Sequence, residues 1–187
     1  MRKLKLQMHI SLDGFVSGPE GQLDWIVTIG SDQALGDFIN AQLDSTDTMI
    51  LGRKTAEVIV DVWEDIANNQ QDTPEYPTAQ RIVRMRKIAF SKQGSAIDGK
   101  NIEVENGDLV AVVQALKNGP GKDIIVYGGV QFVSELIRHD LIDEYHFLVN
   151  PVAIGHGLEI FSEKKSLKLE NSVSYKNGLV VNSYNIG

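Results

Sequence analysis

The sequence predicts an α/β fold with a central, mostly parallel sheet and a C-terminal antiparallel hairpin, in one domain over residues 1–187. Three observations lead to this prediction. Short apolar runs alternate with segments of helical period, a pattern typical of a sheet with helices on both faces. Three predicted strands end at glycine-bearing junctions. Two strand-like runs around Asn177-Gly178 close the sequence, which predicts the hairpin.

The first predicted strand covers residues 3–10, where apolar and polar residues alternate. A turn-forming cluster at 11–14 and a glycine-rich loop follow it. Ser31-Asp32 then begins the first helix, because the apolar residues after it recur on one face. The apolar run at 48–51 is the second strand.

The second helix, residues 56–65, follows a glycine turn after that strand. The polar segment 68–78 contains two prolines and is predicted as an exposed loop. A third strand covers residues 87–90. The helix that begins at Asp108 ends before an Asn-Gly-Pro-Gly stop signal.

An uninterrupted apolar run at 124–127 predicts a strand buried on both faces. A glycine pair connects it to a helix over 131–139, and residues 144–150 are the next strand. A glycine-containing loop at 151–157 then leads to the hairpin. The hairpin strands are predicted at 168–175 and 179–184.

The composition restricts the partners of the molecule. Eighteen Lys and Arg against 25 Asp and Glu give a net charge of −7, which repels nucleic acids and anionic membranes. The chain has no cysteine for disulfides or zinc-thiolate sites, and no metal site is predicted. No apolar stretch reaches the roughly 20 residues of a membrane helix, and the N-terminus does not resemble a secretory signal. We therefore expect a cytoplasmic protein that binds a small molecule.

Two glycine-bearing junctions are candidate anion sites. The segment 52–55, Gly-Arg-Lys-Thr, follows a strand and opens a helix, so its amides, cations and hydroxyl suit a phosphate. The pair Gly128-Gly129 opens another helix without basic residues. Neither junction matches the dinucleotide fingerprint Gly-x-Gly-x-x-Gly or the Walker pattern. The alternative at both junctions is an ordinary turn into a helix with no ligand.

A basic patch surrounds the third predicted strand and consists of Arg81, Arg84, Arg86, Lys87 and Lys92. Ser91 stands at the end of that strand. A phosphate monoester would fit such a cluster, and a solvated charged helix face before the strand is the alternative.

Carboxylates near the exit of the first strand are candidates for holding or protonating a ligand. Asp13 follows that strand, and Asp32 and Asp37 belong to the helix after it. Asp13 is our first hypothesis for a proton donor and Asp37 the second, either acting directly or through a water. The alternative for each is a turn former or a helix N-cap. His9, on the strand itself, is predicted to be a packed or surface residue.

Six segments carry a resemblance that spans nearly the whole chain. In order they are Ser11-Leu12-Asp13-Gly14, Gly21-x-Leu23-Asp24-Trp25, 50–55, Phe90-Ser91-Lys92, 126–129 and 151–157. In order and spacing they resemble the dihydrofolate reductase superfamily. The resemblance is greatest to its RibD C-terminal branch, which contains the reductase of riboflavin biosynthesis and its stand-alone relatives.

The resemblance implies a three-layer fold that binds NADPH across strand ends and passes a hydride to a pyrimidine or pteridine-like heterocycle. The implied activity is similar to that of 5-amino-6-(5-phosphoribosylamino)uracil reductase. Relatives often pair, so a homodimer is expected. The residues that the resemblance implies for the cofactor are Val16, Gly52, Arg53, Lys54, Thr55, Ser91, Lys92, Tyr127, Gly128, Gly129 and Val130.

Two other functions stay open at this point. A dihydrofolate reductase would use a carboxylate inside the first helix to anchor the pterin, where this chain offers Asp32 and Asp37. A non-catalytic module would keep the fold and bind a nucleotide without turnover. Stabilisation by NADPH and turnover of a heterocycle are the observations that separate these functions.

Overall fold

A computed structural model describes residues 1–28, 30, 32–92 and 94–187. Within these residues the strands are β1 Leu4–Ile10, β2 Thr46–Gly52, β3 Arg86–Phe90, β4 Ile102–Glu105, β5 Asp123–Val126, β6 Glu144–Val149, β7 Leu167–Ser174 and β8 Val180–Ile186. The helices are α1 Gln33–Asp44, α2 Arg53–Asn69, α3 Tyr76–Arg84, α4 Leu109–Asn118 and α5 Val130–Arg138. None of the helices in this described part combines the length and apolar character needed to cross a membrane.

The strands form a sheet in the order β4-β3-β2-β5-β1-β6-β8-β7. Neighbours from β4 to β6 run parallel, and the register pairs Val126 of β5 with both Leu6 of β1 and Ile50 of β2. The strands β7 and β8 pair with each other and β8 pairs with β6, in both cases antiparallel. The predicted mostly parallel sheet and the C-terminal hairpin are therefore confirmed.

Buried apolar residues of the described chain form two clusters. Cluster A contains Ile124 and Val126 of β5 together with residues of α4 and α5. Cluster B contains Ile125 together with residues of α1, α2 and α3. Because successive residues of a strand face opposite sides of a sheet, the two clusters lie on opposite faces. The three-layer arrangement stays a prediction, and this division supports it.

The turn of the hairpin follows the sequence pattern. The amide of Tyr175 donates to the carbonyl oxygen of Leu179 at 2.8 Å, and Gly178 has a φ of 90°. A left-handed backbone of this kind favours glycine, which explains the Asn-Gly pair.

The segment predicted as an exposed loop at 68–78 is shorter in the structure. α2 continues to Asn69 and α3 begins at Tyr76, so helices enter the segment from both sides. Pro77 stands in the first turn of α3, where a residue without an N–H costs no helical hydrogen bond. The proline that suggested a loop is therefore part of a helix start.

β4 and the start of α1 need separate comment. β4 was not predicted, because it is short, half of its residues are glutamates, and within the described residues it pairs with β3 alone. For α1, Asp32 is the N-cap residue, as the sequence predicted. Ser31, the other residue of the predicted helix start, lies outside the described residues.

Candidate functional site

The carboxyl ends of β2 and β5, which are neighbouring parallel strands, stand side by side. α2, which follows β2, packs into cluster B through Ala56. α5, which follows β5, packs into cluster A through Val133. When helices leave adjacent strands toward opposite faces, the strand ends separate, and open α/β sheets bind their ligands at such points. We refer to this place as the glycine crevice.

The glycines of each junction lie close to side chains that follow the other junction. A Cβ at Gly129 would lie 3.1 Å from Thr55 Oγ1, and a Cβ at Gly52 would lie 3.0 Å from Phe132 Cβ. Gly128 and Gly129 have φ values of 62° and 85°, in the left-handed region that favours glycine. The sequence predicted both junctions separately, and the structure brings Gly52, Thr55 and Gly129 together.

The helices that begin at the glycine crevice, like α3, have no side-chain cap among the described residues, and in this they differ from α1 and α4. Asp32 and Asp108 cap α1 and α4 by accepting backbone amides with their carboxylates. At α2 and α5 the N-cap residues are Gly52 and Gly129, and no side chain of the described residues accepts there. The free amides and the helix dipoles of α2 and α5 suit an anion at the crevice.

Arg53, at the first position of α2, is engaged by protein groups. Its guanidinium donates to the carbonyl oxygens of Ser95 at 2.7 Å and Ala96 at 3.5 Å, and its Nε lies 2.9 Å from Glu57 Oε1. These contacts use three of the five N–H groups of the guanidinium, and the other two can still bind an anion. Lys54, the next residue, is exposed to solvent.

Ser91 and Lys92 follow β3, the strand on the other side of β2. The ring of Phe90 at the end of β3 lies 5.1 Å from the ring of Phe132 in α5. The pKa of Glu135 on α5 is lowered mainly by a hydrogen bond from Arg138, and the charge of Lys92 adds to this effect. The ends of β3, β2 and β5 therefore stand side by side, with Lys92 as a cation near α5.

The predicted basic patch does not form a single site. Arg86 and Lys87 are the first residues of β3, so they lie at the edge of the sheet opposite the glycine crevice. Arg81 instead binds both oxygens of Asp44, at 2.8 and 3.0 Å. Lys87 is buried. The five residues of the predicted patch therefore do not surround one strand end, because Arg86 and Lys87 begin β3 whereas Lys92 follows it. Binding of a phosphate by Lys92 stays a prediction.

Two loops cover the carboxyl ends of β1 and β6. We call residues 11–18 the first loop and residues 151–158 the second loop. The amide of Val16 donates to the carbonyl oxygen of Leu158 at 2.9 Å, and the amide of Leu158 donates to that of Ser17 at 2.9 Å. Val16, a predicted cofactor residue, is itself buried. The two loops are thus joined like a short antiparallel ladder.

Asp13 joins the same two loops through its side chain. One carboxylate oxygen accepts from the hydroxyl of Ser11 at 2.6 Å and the amide of Ile154 at 3.2 Å. The other accepts from the amide of Gly155 at 2.7 Å. The bond from Ser11, supported by these amides, lowers the pKa of Asp13. A charged acceptor held in this way is poorly suited to donate a proton, and the donor role of Asp13 stays a prediction.

The carboxylates of α1 serve different contacts. Asp32 is buried and accepts from the amides of Leu35 at 3.3 Å and Lys176 at 2.6 Å, so it connects α1 to the hairpin turn. Asp37 is exposed and accepts from Gln33 at 2.8 Å. Its role as an alternative proton donor also stays a prediction.

A functional role for the polar residues on one face of β1 was not recognised in the sequence. Lys5 and Gln7 are buried, and His9 is half-buried. Gln7 donates to the hydroxyl of Tyr127 at 3.1 Å, while its enclosed Oε1 has no partner among the described residues. Burial raises the pKa of Tyr127, which keeps its phenol neutral. The signal was the strict alternation with Leu4, Leu6 and Met8, which was used only to predict a strand.

The comparison with protein families decides which family the chain belongs to. The family model of the RibD C-terminal domain matches residues 2–181. The chain belongs to the RibD C-terminal domain family. YyaP, an uncharacterized protein of Bacillus subtilis (strain 168), is 31% identical over 183 residues, which are 96% of this chain and 92% of YyaP. The resemblance seen in the sequence is therefore confirmed.

Solved structures of other RibD-related proteins have the same fold. A Shewanella sp. PV-4 protein named for riboflavin biosynthesis is similar with a TM-score of 0.73 at 17% identity, covering 99% of both chains. A Thermotoga maritima protein named as a diaminohydroxyphosphoribosylaminopyrimidine deaminase and 5-amino-6-(5-phosphoribosylamino)uracil reductase has a TM-score of 0.66 at 15% identity. The RibD C-terminal domain described here is covered fully and spans 57% of that longer chain. At these identities the likeness shows the fold.

Proposed function

We propose that this RibD C-terminal domain is an NADPH-dependent reductase of a pyrimidine or pteridine-like heterocycle. The observation that carries the proposal is the glycine crevice, where the uncapped starts of α2 and α5 meet at the ends of neighbouring parallel strands. Membership in the RibD C-terminal domain family supports a reductase.

The residues at the crevice fit a dinucleotide. A Cβ at Gly52 or Gly129 would crowd Phe132 or Thr55, so both junctions need glycine, and a backbone without side chains is one that a pyrophosphate can approach. Lys54, exposed at the start of α2, would supply positive charge for the additional phosphate that distinguishes NADPH from NADH. Bound NADPH supplies the hydride, and the protein supplies binding and orientation. The predicted cofactor residues Ser91, Lys92, Tyr127 and Val130 stand at or next to the same strand ends.

The substrate class is inferred from the relatives and from β1. The Thermotoga maritima protein is named as a reductase of a pyrimidine. In this chain the polar face of β1 offers Gln7 and His9 near the edge where the first and second loops meet. A ring that carries carbonyl and N–H groups is the kind of ligand that such polar side chains can orient.

The cofactor site is tested by thermal unfolding with dinucleotides. At about one hundred times its Kd, NADPH is expected to raise the melting temperature by about 5 to 10 °C. NADH is expected to give a smaller increase. In Gly129→Ala the new methyl group would meet Thr55 Oγ1 at 3.1 Å, so the increase with NADPH is expected to disappear.

Gly178→Ala is the matched control for Gly129→Ala. Gly178 has a φ of 90° and Gly129 a φ of 85°, so both substitutions place alanine on a left-handed backbone and cost about 1–2 kcal/mol. Gly178 lies in the hairpin turn, and its variant should keep the full response to NADPH. A protein that neither dinucleotide stabilises would contradict the proposal.

Turnover separates the proposal from its alternatives. Oxidation of NADPH in the presence of 5-amino-6-(5-phosphoribosylamino)uracil is the expected result. Oxidation that depends on dihydrofolate instead would identify a dihydrofolate reductase, although Asp32 already binds backbone amides and Asp37 binds Gln33. Stabilisation by NADPH without turnover of either compound would identify a non-catalytic nucleotide-binding module.

A further inference from the structure

Asn150, directly after β6, is completely buried and forms an unusually full set of hydrogen bonds. Its side-chain oxygen Oδ1 accepts from the amide of Val27 at 2.8 Å. Its Nδ2 lies 3.0 Å from the carbonyl oxygen of Leu148 and 3.3 Å from that of Ile10. A backbone amide can only donate and a carbonyl oxygen can only accept, so these neighbours fix which end of the Asn150 amide is oxygen.

The fixed amide of Asn150 determines the protonation of His9. The same Nδ2 lies 3.2 Å from His9 Nδ1, across from β6 at the end of β1. The two hydrogens of Nδ2 are shared among the carbonyl oxygens of Leu148 and Ile10 and His9 Nδ1. A hydrogen on Nδ1 would point at them, so Nδ1 is the acceptor and the hydrogen of the neutral imidazole is on Nε2. Burial lowers the pKa of His9 to about 4, so the ring is neutral near pH 7.

The Nε2 atom of His9 remains available to a ligand. It has no hydrogen-bond partner among the described residues, and it is not enclosed by protein atoms. His9 is half-buried, so this nitrogen reaches solvent. The register of Leu6 with Val126 and of His9 with Leu148 places His9 at the carboxyl edge of the sheet, the edge of the glycine crevice.

We propose that Asn150 is a positioning residue that holds His9 as the Nε2–H tautomer, and that His9 donates a hydrogen bond from Nε2 to the heterocyclic substrate. The acceptor on the ligand is a ring carbonyl oxygen or an unprotonated ring nitrogen. The role of Asn150 follows from the contacts alone, whereas the role of His9 toward a substrate rests on the proposed function. A ligand that offers only N–H groups at this position would be bound poorly, because two donors would face each other.

The tautomer can be measured without substrate. In protein labelled with ¹⁵N-histidine, long-range ¹⁵N–¹H correlation spectra distinguish a ring protonated at Nε2 from one protonated at Nδ1, and His9→Gln assigns the signal. The expected signal of His9 is that of the Nε2–H form. In Asn150→Asp the carboxylate can only accept, so His9 should carry a hydrogen on Nδ1 and titrate at higher pH. A wild-type ring protonated at Nδ1, or a signal unchanged in folded Asn150→Asp, would overturn the role of Asn150.

Asn182→Asp is the matched control for Asn150→Asp. Asn182 is half-buried on β8, and its Oδ1 accepts from the hydroxyl of Ser172 at 2.6 Å, a bond that a carboxylate can keep. The signal of His9 should therefore be unchanged. If Asn150→Asp does not fold, which circular dichroism would show, the wild-type spectrum decides the role of Asn150.

Kinetics test the role of His9 toward the substrate, with 5-amino-6-(5-phosphoribosylamino)uracil and dihydrofolate as probes. His9→Leu should lower kcat/KM about tenfold for whichever probe the enzyme reduces. This is the loss expected for one neutral hydrogen bond. His9→Gln keeps an N–H donor and should retain more activity than His9→Leu. Equal kcat/KM in wild type and His9→Leu would overturn the role of His9.

The stabilisation by NADPH distinguishes a failure of this proposal from a failure of the proposed function. It should be unchanged in His9→Leu and His9→Gln. A wild-type protein that NADPH does not stabilise, or that reduces neither probe, refutes the proposed function and with it the role of His9 toward a substrate. The tautomer spectrum then still decides the role of Asn150.

Discussion

The ammonium group of Lys87 lies among backbone carbonyl oxygens at the end of α3. Its Nζ donates to those of Ile82, Val83 and Met85 at 2.9, 3.2 and 3.0 Å. The side chain is 1% exposed, and burial lowers its pKa to about 8. Sequence reasoning grouped Lys87 with a phosphate site. Charge and position in the sequence do not reveal that a cation binds the carbonyl oxygens at the end of a helix.

Lys87 makes stability depend on pH in a defined window. The folded protein releases this proton near pH 8, whereas the unfolded chain keeps it up to the ordinary pKa of 10.5. The unfolded state therefore binds more protons between these values, so the contribution of Lys87 to the free energy of unfolding rises with pH there. The slope is at most about 1.4 kcal/mol per pH unit.

The variant Lys87→Met isolates this contribution. Urea unfolding from pH 7 to pH 10 should show the free energy of unfolding of wild type rising, relative to that of Lys87→Met, as the pH increases above 8. Lys164→Met is the control, since Lys164 is exposed and its replacement removes no buried ammonium group. A difference that stays constant across the window would contradict a shifted Lys87.

Asp13 can be tested for its two alternative roles. Its pKa is lowered in the folded protein, so its contribution to stability is present at neutral pH and is lost as the pH falls below the ordinary carboxyl range. Asp13→Asn should therefore lower the melting temperature at pH 7, and the difference from wild type should shrink in acid. The control is Asp98→Asn, because Asp98 is exposed.

Turnover completes the test of Asp13. If Asp13 only joins the two loops, Asp13→Asn should retain measurable kcat at saturating NADPH and substrate. Complete loss of kcat in a folded variant that still binds NADPH would instead identify Asp13 as the proton donor. Unchanged turnover at every pH would exclude that role.

At the scale of elements, the strands with continuous apolar runs were predictable. β2, β5 and β6 are buried on both faces, so their sequences carry a strong signal. β4 lies at a sheet edge and alternates glutamates with apolar residues, with Glu103 exposed, so its sequence resembles a loop. The glycine junctions were also predictable, but their meeting in one crevice depends on the strand order, which local patterns do not specify.

The contact between the first and second loops depends on one glycine. A Cβ at Gly157 would overlap the carbonyl oxygen of Ser17 and lie 3.0 Å from Phe15 Cβ. Gly157→Ala should separate the loops and lower the free energy of unfolding by about 1–3 kcal/mol, as overpacking does elsewhere. Chemical denaturation measures this loss.

Gly119→Ala provides the comparison for Gly157→Ala. Gly119 ends α4 with a φ of −75°, and its Cβ would lie 3.4 Å from the carbonyl oxygen of Ala115. Alanine is accommodated there without strain, so this variant should be at least as stable as wild type. Equal stability of the Gly157 and Gly119 variants would show that the loops tolerate separation.

At the scale of the whole molecule, the net charge of −7 disfavours nucleic acids and anionic membranes as partners, but it does not exclude a small anionic ligand. Many basic side chains are bound by carboxylates, as with Arg81 and Asp44 or Lys117 and Asp143. A total charge therefore says little about one edge of the sheet, where Lys54 and Lys92 are exposed. The sequence could predict the family from the order and spacing of its motifs. The polar face of β1 beneath the first and second loops could be recognised only once the strands were paired in three dimensions.

The predicted homodimer belongs to this scale. Apolar side chains are exposed on the hairpin, including Leu169, Val173 and Ile186, and on α2, including Val58 and Val62. We expect sedimentation velocity to give a species of twice 20.7 kDa at micromolar concentration. A species of 20.7 kDa at all concentrations would contradict the dimer.

The central position of β1 has a consequence for biosynthesis. Its hydrogen-bonding partners are β5 and β6, and the bond from Ile154 to Asp13 joins residues 141 positions apart. On the ribosome, β1 emerges long before either partner strand, and both of its edges remain unpaired until then. The loops above it are joined only after residue 158 has been made. The site is therefore completed late in translation. A prematurely terminated chain would lack the site and would expose β1 as an unpaired, aggregation-prone strand.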